Sequence, residues 1–241
     1  MKVLVLGGNG ATGFHVVEQL LENNVDVKTI VRNSTKLISL DNQKNLEIIT
    51  ASILDMDNAE LSEVLDDVEA IVSCLGHNIT LKGIWGRPHR LVTDAIRKVC
   101  ESIRMIDTGI VTKLVLMNTT ACLDVDAQEQ FKIAEGITLA IMRFLLPPQR
   151  DNEQAVNYLK HAIGKNDRNI EWIAVRPDTL TNEEEITSYT VHNSPVRSPV
   201  FNPGKTSRIN VGNFIMDLLS TNEQWKKWRY QMPVIYNETK L

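Results

Sequence analysis

"GGNGATG", residues 7–13, follows only six residues of chain, and four of its seven positions are glycine. Glycine has no side chain to bury, so this stretch lets something come close to the backbone. Before it, Val3 to Leu6 is a continuous apolar run, as expected of a strand covered on both faces in a parallel sheet. After it, Val16, Val17, Leu20 and Leu21 recur at helical spacing, and Asn23–Asn24 ends the helix. Strand, glycine turn and helix are the setting in which Gly8-x-Gly10-x-x-Gly13, or Gly7-x-x-Gly10-x-x-Gly13, cradles a dinucleotide. One glycine makes the turn, one admits the pyrophosphate and one lets the helix pack on the strand. The unpaired N–H groups and the dipole of the helix over 14–22 then hold the phosphates.

The second strand, "VDVKTIV" (25–31), indicates which dinucleotide. An NAD site usually ends this strand with an acidic residue, about 20 positions beyond the motif, on the ribose 2′-hydroxyl. Here Arg32 stands nineteen residues beyond Gly13, followed by Asn33, Ser34, Thr35 and Lys36. A carboxylate would repel a 2′-phosphate, whereas a guanidinium grips one bidentately. The expected cofactor is therefore NADP(H); the plainer alternative for Arg32 is a solvated surface arginine.

Further along, "LEIIT" (46–50), "EAIVSCLG" (69–76), "KLVLMN" (113–118) and "IEWIAVRP" (170–177) read as strands. Between them, 59–68, 90–108 and 150–165 read as helices, with one more possible near 35–45. This alternation predicts an α/β fold, a doubly wound parallel sheet with right-handed crossovers: the Rossmann architecture. "VHNSPVRSPVFNPGK" (191–205) reads as loop or short edge strands, "INVGNFIMDLLS" (209–220) as a helix and "YQMPVIY" (230–236) as a late strand. No flexible linker separates two cores. A single domain over 1–241 is expected, with 178–241 partly capping the substrate side.

The 241 residues are 43% hydrophobic with a formal charge of −4, which suits a soluble globular protein and argues against nucleic acid or anionic membrane as a partner. Cys74, Cys100 and Cys122 show no C-x-x-C spacing and read as buried residues of a reducing, cytoplasmic protein. No window is apolar enough for a membrane span, and the five histidines show no metal-ligand spacing, so no metal is expected. "PGKT" (203–206) has Pro199 where a P-loop needs its first glycine.

Taken in order, "GGNGATG", "VRNSTKL", "SCLG", "KLVLMNTTA" and "VRPDTLT" resemble the atypical short-chain dehydrogenases. Within them the chain is most similar to the NADPH-dependent flavin reductase (biliverdin reductase B) group and its NmrA-like relatives. The resemblance covers about residues 1–220 and is thinnest over 124–149. It implies that Gly7, Gly10, Ala11, Thr12 and Gly13 hold the pyrophosphate and Arg32 the 2′-phosphate. Ser52-Ile53 stands where the family often has Asp-Val or Asp-Leu at the adenine. Leu75, Gly76 and His77 would lie along the ribose and nicotinamide, with Thr119 beside the nicotinamide as the candidate catalytic residue. Pro177, Asp178 and Thr179 would meet the carboxamide; Asp178 departs from the histidine of the flavin reductase type.

Typical short-chain dehydrogenases protonate a carbonyl oxygen through Tyr-x-x-x-Lys. In the expected helix Tyr158 is followed four residues later by Ala162, and the only literal match, Tyr236–Lys240, lies at the extreme C-terminus. A flavin, quinone or similar conjugated acceptor spreads the incoming charge and takes its proton from water, so it tolerates this absence. The expected activity is NADPH-dependent reduction of such a small-molecule acceptor by a monomer or weak homodimer. The alternative is a non-catalytic NADP-binding sensor or assembly protein of NmrA-like type. "IMRFLLPP" (141–148) reads either as an apolar lid over the acceptor or as packed core. "GIWGRPHR" (83–90) either meets an anionic substrate edge or caps the following helix.

Overall fold

The computed structural model describes residues 1–40, 42–77, 80, 85–130 and 132–238, less the side chains of Met142 and Phe144. Among them run β1 (Lys2–Leu6), α1 (Gly13–Glu22), β2 (Asp26–Val31), β3 (Leu46–Thr50), α2 (Asn58–Leu65), β4 (Ala70–Ser73), α3 (Leu91–Ile106) and β5 (Thr112–Met117). These are followed by α4 (Ile133–Leu145), α5 (Pro147–Tyr158), β6 (Ile170–Pro177), β7 (Thr179–Thr181), β8 (Tyr189–His192), β9 (Lys205–Ser207), α6 (Arg208–Ser220), α7 (Asn222–Trp228) and β10 (Val234–Asn237). The main sheet has the order β3-β2-β1-β4-β5-β6-β10-β8, and only the β10–β8 pair within it is antiparallel. β7 and β9 form a separate two-stranded parallel pair beyond the end of β6.

β1 shows why its run is apolar throughout. Leu4 and Leu6 pack on the face covered by α2, α3 and α5, while Val3 and Val5 pack on the face covered by α1, α6 and α7; all four are buried. Each such side chain contributes about 1.5–3 kcal/mol relative to exposure. Ile71 and Val72 of β4, and Leu114 and Val115 of β5, divide between the same two faces.

Local chemistry sets the helix ends. α5 opens on Pro147–Pro148, at positions whose N–H groups would have no partner within the helix, and its last turn widens into a π-helical turn over Leu159–Ile163. Gly164, at φ 71°, then ends it. The helix looked for near 35–45 is only a 3₁₀ turn, Leu37–Leu40. α4 and α7 lie where no helix was expected. α4 turns Ile133, Ile137, Ile141 and Leu145 outward as an exposed apolar stripe. Residues 141–145 thus belong to a helix with an outward apolar face. Among the described residues no helix is long and apolar enough to cross a membrane.

Candidate dinucleotide site

The strand order reverses at β1, between β2 and β4, which places a crevice at the carboxyl ends of these strands. The glycine turn fills it with backbone. Gly7 has φ 79°, and a Cβ there would stand 3.0 Å from the Cys74 carbonyl oxygen of the β4 extension. The Gly10 amide donates to the Gly7 carbonyl at 2.9 Å, and the Phe14 amide donates to Gly10, carrying the turn directly into α1. A Cβ on Gly13 would lie 2.2 Å from the Gly7 oxygen.

The start of α1 is left open. Its N-cap, Thr12, gives no side-chain cap, and its first turn holds no acidic residue. α2 by contrast closes its own start with a capping box, Asp57 accepting from the Ala59 and Glu60 amides while Glu60 accepts from the Asp57 amide. An uncapped N-terminus behind glycines without side chains is suited to a phosphate. These features fit a dinucleotide pyrophosphate, with Gly7, Gly10, Ala11, Thr12 and Gly13 as the residues able to hold it.

A cleft of about 220 Å³ extends from this turn. It gathers Gly7 and Gly10 with Arg32, Ser52, Ile53, Leu75 and Gly76. Arg32 is exposed at the end of β2, and no hydrogen bond or ion pair engages it among the described residues. Asn9, singled out by no sequence rule beyond its place in the turn, joins these parts. Its Nδ2 donates to Asn33 Oδ1 at 2.6 Å, and its Oδ1 accepts from the Lys36 amide at 2.8 Å.

Thr119, Pro177, Asp178 and Thr179 lie at the ends of β5 and β6, outside this cleft. The end of β5 is two strands from β1, or roughly 10 Å at ~4.8 Å per strand. Thr119 is half-buried, and its Oγ1 accepts from the Ala121 amide at 3.3 Å. Pro177 is buried, with its carbonyl accepting from the Thr120 amide, and Thr179 is exposed in β7. Asp178 Oδ2 accepts from the Gly204 amide at 2.9 Å. Burial pushes the Asp178 carboxyl up, against the opposing Gly204 and Thr179 amides, the Thr120 hydroxyl and the Arg197 charge.

His77 is turned inward rather than along the cleft. Its Nε2 meets Asp151 Oδ2 at 2.8 Å, and both side chains are nearly inaccessible. Asp151, at the start of α5, also accepts from the Val92 and Thr93 amides and from Thr93 Oγ1. It therefore caps α3 from a neighbouring helix, since Arg90 at the N-cap position gives no side-chain bond. Burial raises the Asp151 carboxyl, but the hydrogen bonds from His77, Thr93 and Val92 outweigh it and hold the group below its ordinary value.

The two aspartates give opposite expectations. With its folded pKa lowered, Asp151 contributes stability present above the unfolded pKa and lost as pH falls through the folded one. Asp178, with its folded pKa raised, has its stabilising contribution below the unfolded pKa and loses it as pH rises through the folded one. Asp151→Asn is expected to lower Tm at neutral pH and Asp178→Asn to raise it. Both differences should shrink as pH drops below about 4 in thermal melts run from about pH 3 to pH 7.

Tyr158 stands at the far end of α5 from Asp151, seven residues or about 10 Å along the axis. Its ring lies under the Arg97 guanidinium, 5.5 Å from the centroid, and burial pushes its hydroxyl up to about 12. It is remote from the strand ends that form the crevice. Lys240 of the C-terminal Tyr-x-x-x-Lys match lies outside the described residues, as do Gly83 and Ile84 of the 83–90 stretch. Trp85 of that stretch donates its indole N–H to the Leu145 carbonyl at 3.1 Å, clasping the end of α4.

Sequence reasoning also passed over Arg176, the fully buried penultimate residue of β6. All five of its N–H groups are used: Nε to Met232 O, Nη1 to Cys122 O and Glu129 Oε2, Nη2 to Glu129 Oε1 and Asn193 O. The available signal was a cation inside the apolar run "IEWIAVRP", which cannot be buried without a partner.

No curated protein matches the chain. Among solved structures it is similar to a short-chain dehydrogenase/reductase of Veillonella parvula in complex with NADP, at 15% identity and TM-score 0.70, covering 98% of this chain and 94% of that one. It is similar also to an anaerobilin reductase of Escherichia coli O157:H7, at 15% identity and TM-score 0.68, covering 100% and 99%. A third likeness is to a Streptococcus pneumoniae protein named as an NADH-flavin reductase, at 16% identity and TM-score 0.67, covering 99% and 100%. At these identities the likeness is one of fold. The model of the NAD(P)H-binding family matches residues 7–222, from the glycine turn through α6, and the chain belongs to that family.

Proposed function

We propose that the chain is an NADPH-dependent reductase passing hydride to a flavin, quinone or similar conjugated small molecule. The observation that carries the choice of acceptor is the chemistry at the ends of β4, β5 and β6. His77 and Asp178 are engaged by other protein groups, Tyr158 is remote, and Thr119, whose oxygen accepts from the Ala121 amide, offers only a weakly acidic hydroxyl. A ketone acceptor needs a proton delivered with the hydride, whereas a conjugated ring system takes its proton from water. When bound, NADPH supplies the hydride; the protein's part is orientation. The glycine turn and the start of α1 hold the pyrophosphate, Arg32 holds the 2′-phosphate, and Leu75–Gly76 line the path toward the nicotinamide end. Thr119 stands nearest the transfer and offers a hydroxyl to it.

NADPH consumption with FMN, FAD and menadione tests this reading. Turnover with at least one is expected; tight NADP(H) binding with no turnover on any of them would favour the sensor alternative. The choice of NADP over NAD rests on Arg32, which has no carboxylate beside it in "VRNSTKL". Arg32→Asp is expected to weaken NADPH binding about tenfold or more, roughly the loss of one charge-assisted bidentate contact. NADH binding should hold or improve. An unchanged NADPH/NADH ratio of Kd values would remove Arg32 from this role.

A further inference from the structure

We propose that Asn9 is the positioning residue that sets cofactor specificity, by locking the 2′-phosphate arm to the pyrophosphate cradle. The inference rests on the reading of the crevice as an NADP(H) site. Asn9 belongs to the glycine turn, yet both ends of its side chain leave that turn. Its Oδ1 accepts from the backbone amide of Lys36 at 2.8 Å, and its Nδ2 donates to Asn33 Oδ1 at 2.6 Å. The backbone donor at Lys36 fixes which way the amide points, because only the oxygen can accept there.

The segment so held is the one that follows Arg32 directly. On one side it is anchored by β2, which ends at Val31. On the other it is anchored by Leu37, fully buried, with its amide bonded to the Ser34 carbonyl at 2.8 Å. Between these anchors Asn9 supplies the cross-tie. Residues 27–40 contain no Asp or Glu, and among the described residues no ion pair engages Arg32. The result, among the described residues, is an unpaired guanidinium on a braced backbone, at a set place relative to the glycine turn. A ligand with both a pyrophosphate and a 2′-phosphate then meets two anion sites already in register, and loses less freedom in binding than with a loose arm. A ligand without the 2′-phosphate gains nothing from the tie.

Calorimetric titrations of NADP⁺ and NAD⁺ into wild type, Asn9→Ala and Asn33→Ala separate the possibilities. In wild type NADP⁺ is expected to bind at least about tenfold more tightly than NAD⁺. Asn9→Ala should weaken NADP⁺ about fivefold to tenfold and NAD⁺ less than about twofold. Asn33→Ala removes one of the two bonds from the other side, so a smaller change in the same direction is expected. It also keeps the test open should Asn9→Ala fail to fold. Wild type without preference would overturn the NADP reading and this role with it. A preserved preference in both variants, with wild type selective, would overturn the role of Asn9 alone. An equal loss for both ligands would mean that Asn9 shapes the cradle without setting specificity.

Discussion

Gly13→Ala is expected to raise the Kd for NADPH about a hundredfold or more and to cost about 1–3 kcal/mol of stability. The added Cβ would stand 2.2 Å from the Gly7 oxygen, 2.9 Å from the Gly7 carbonyl carbon and 3.1 Å from Gly8 Cα. All three neighbours are backbone, so no side-chain rotation relieves the clash. Either α1 moves away from the strand or the turn opens, and both displace the amides on which phosphate binding depends. Gly7 leaves little slack, since it already holds a left-handed φ with the Cys74 carbonyl 3.0 Å from where its own Cβ would be. Titration with NADPH alongside a thermal melt checks both effects. An alanine variant with affinity within about twofold of wild type would show that the dinucleotide lies elsewhere.

The second large effect is on stability. Arg176→Met should cost about 3–5 kcal/mol, the usual result of removing one partner of a buried ion pair. Methionine fills much of the volume but leaves the Glu129 carboxylate buried without its bidentate partner, and leaves the Cys122, Asn193 and Met232 carbonyls without the Arg176 donors. These acceptors come from three separate segments after β5, between β8 and β9, and before β10. The loss should therefore loosen the whole region beyond the end of β6. The double variant Arg176→Met/Glu129→Leu should recover part of the loss, because it removes the orphaned charge. Chemical denaturation of the four proteins of this cycle gives the coupling directly. A single variant within about 0.5 kcal/mol of wild type would mean that the clamp bears no weight.

Much of the frame was legible from local pattern. β1, the glycine turn and α1 are determined by neighbouring residues, and so is the strand Ile170–Pro177, whose apolar run needs cover on two faces; Leu46–Thr50, at the sheet edge, was legible from its short β-rich run alone. α4 was missed because "IAEGITLAIMRFL" carries apolar residues on several faces and so shows no clean polar–apolar division at helical spacing. The site divides in the same way. The cleft residues Gly7, Gly10, Arg32, Ser52, Ile53, Leu75 and Gly76 follow from their place at strand ends. The use of His77 is set by Asp151, 74 residues away, and that of Arg176 by Glu129, 47 residues away. Neither partner can be named from local sequence, although the cation inside "IEWIAVRP" shows that Arg176 needs one. Asn9 is intermediate: it lies in the most readable motif of the chain, but its partners Asn33 and Lys36 become visible only once β1 and β2 are side by side.

The crevice at the reversal of strand order is proposed to bind NADP(H) through the glycine turn and Arg32. A calorimetric titration of the wild-type chain with NADPH and, separately, with NADH decides this. Saturable binding of one NADPH per chain is expected, at least about tenfold tighter than that of NADH. Binding of neither nucleotide, or equal affinity for both, would contradict it.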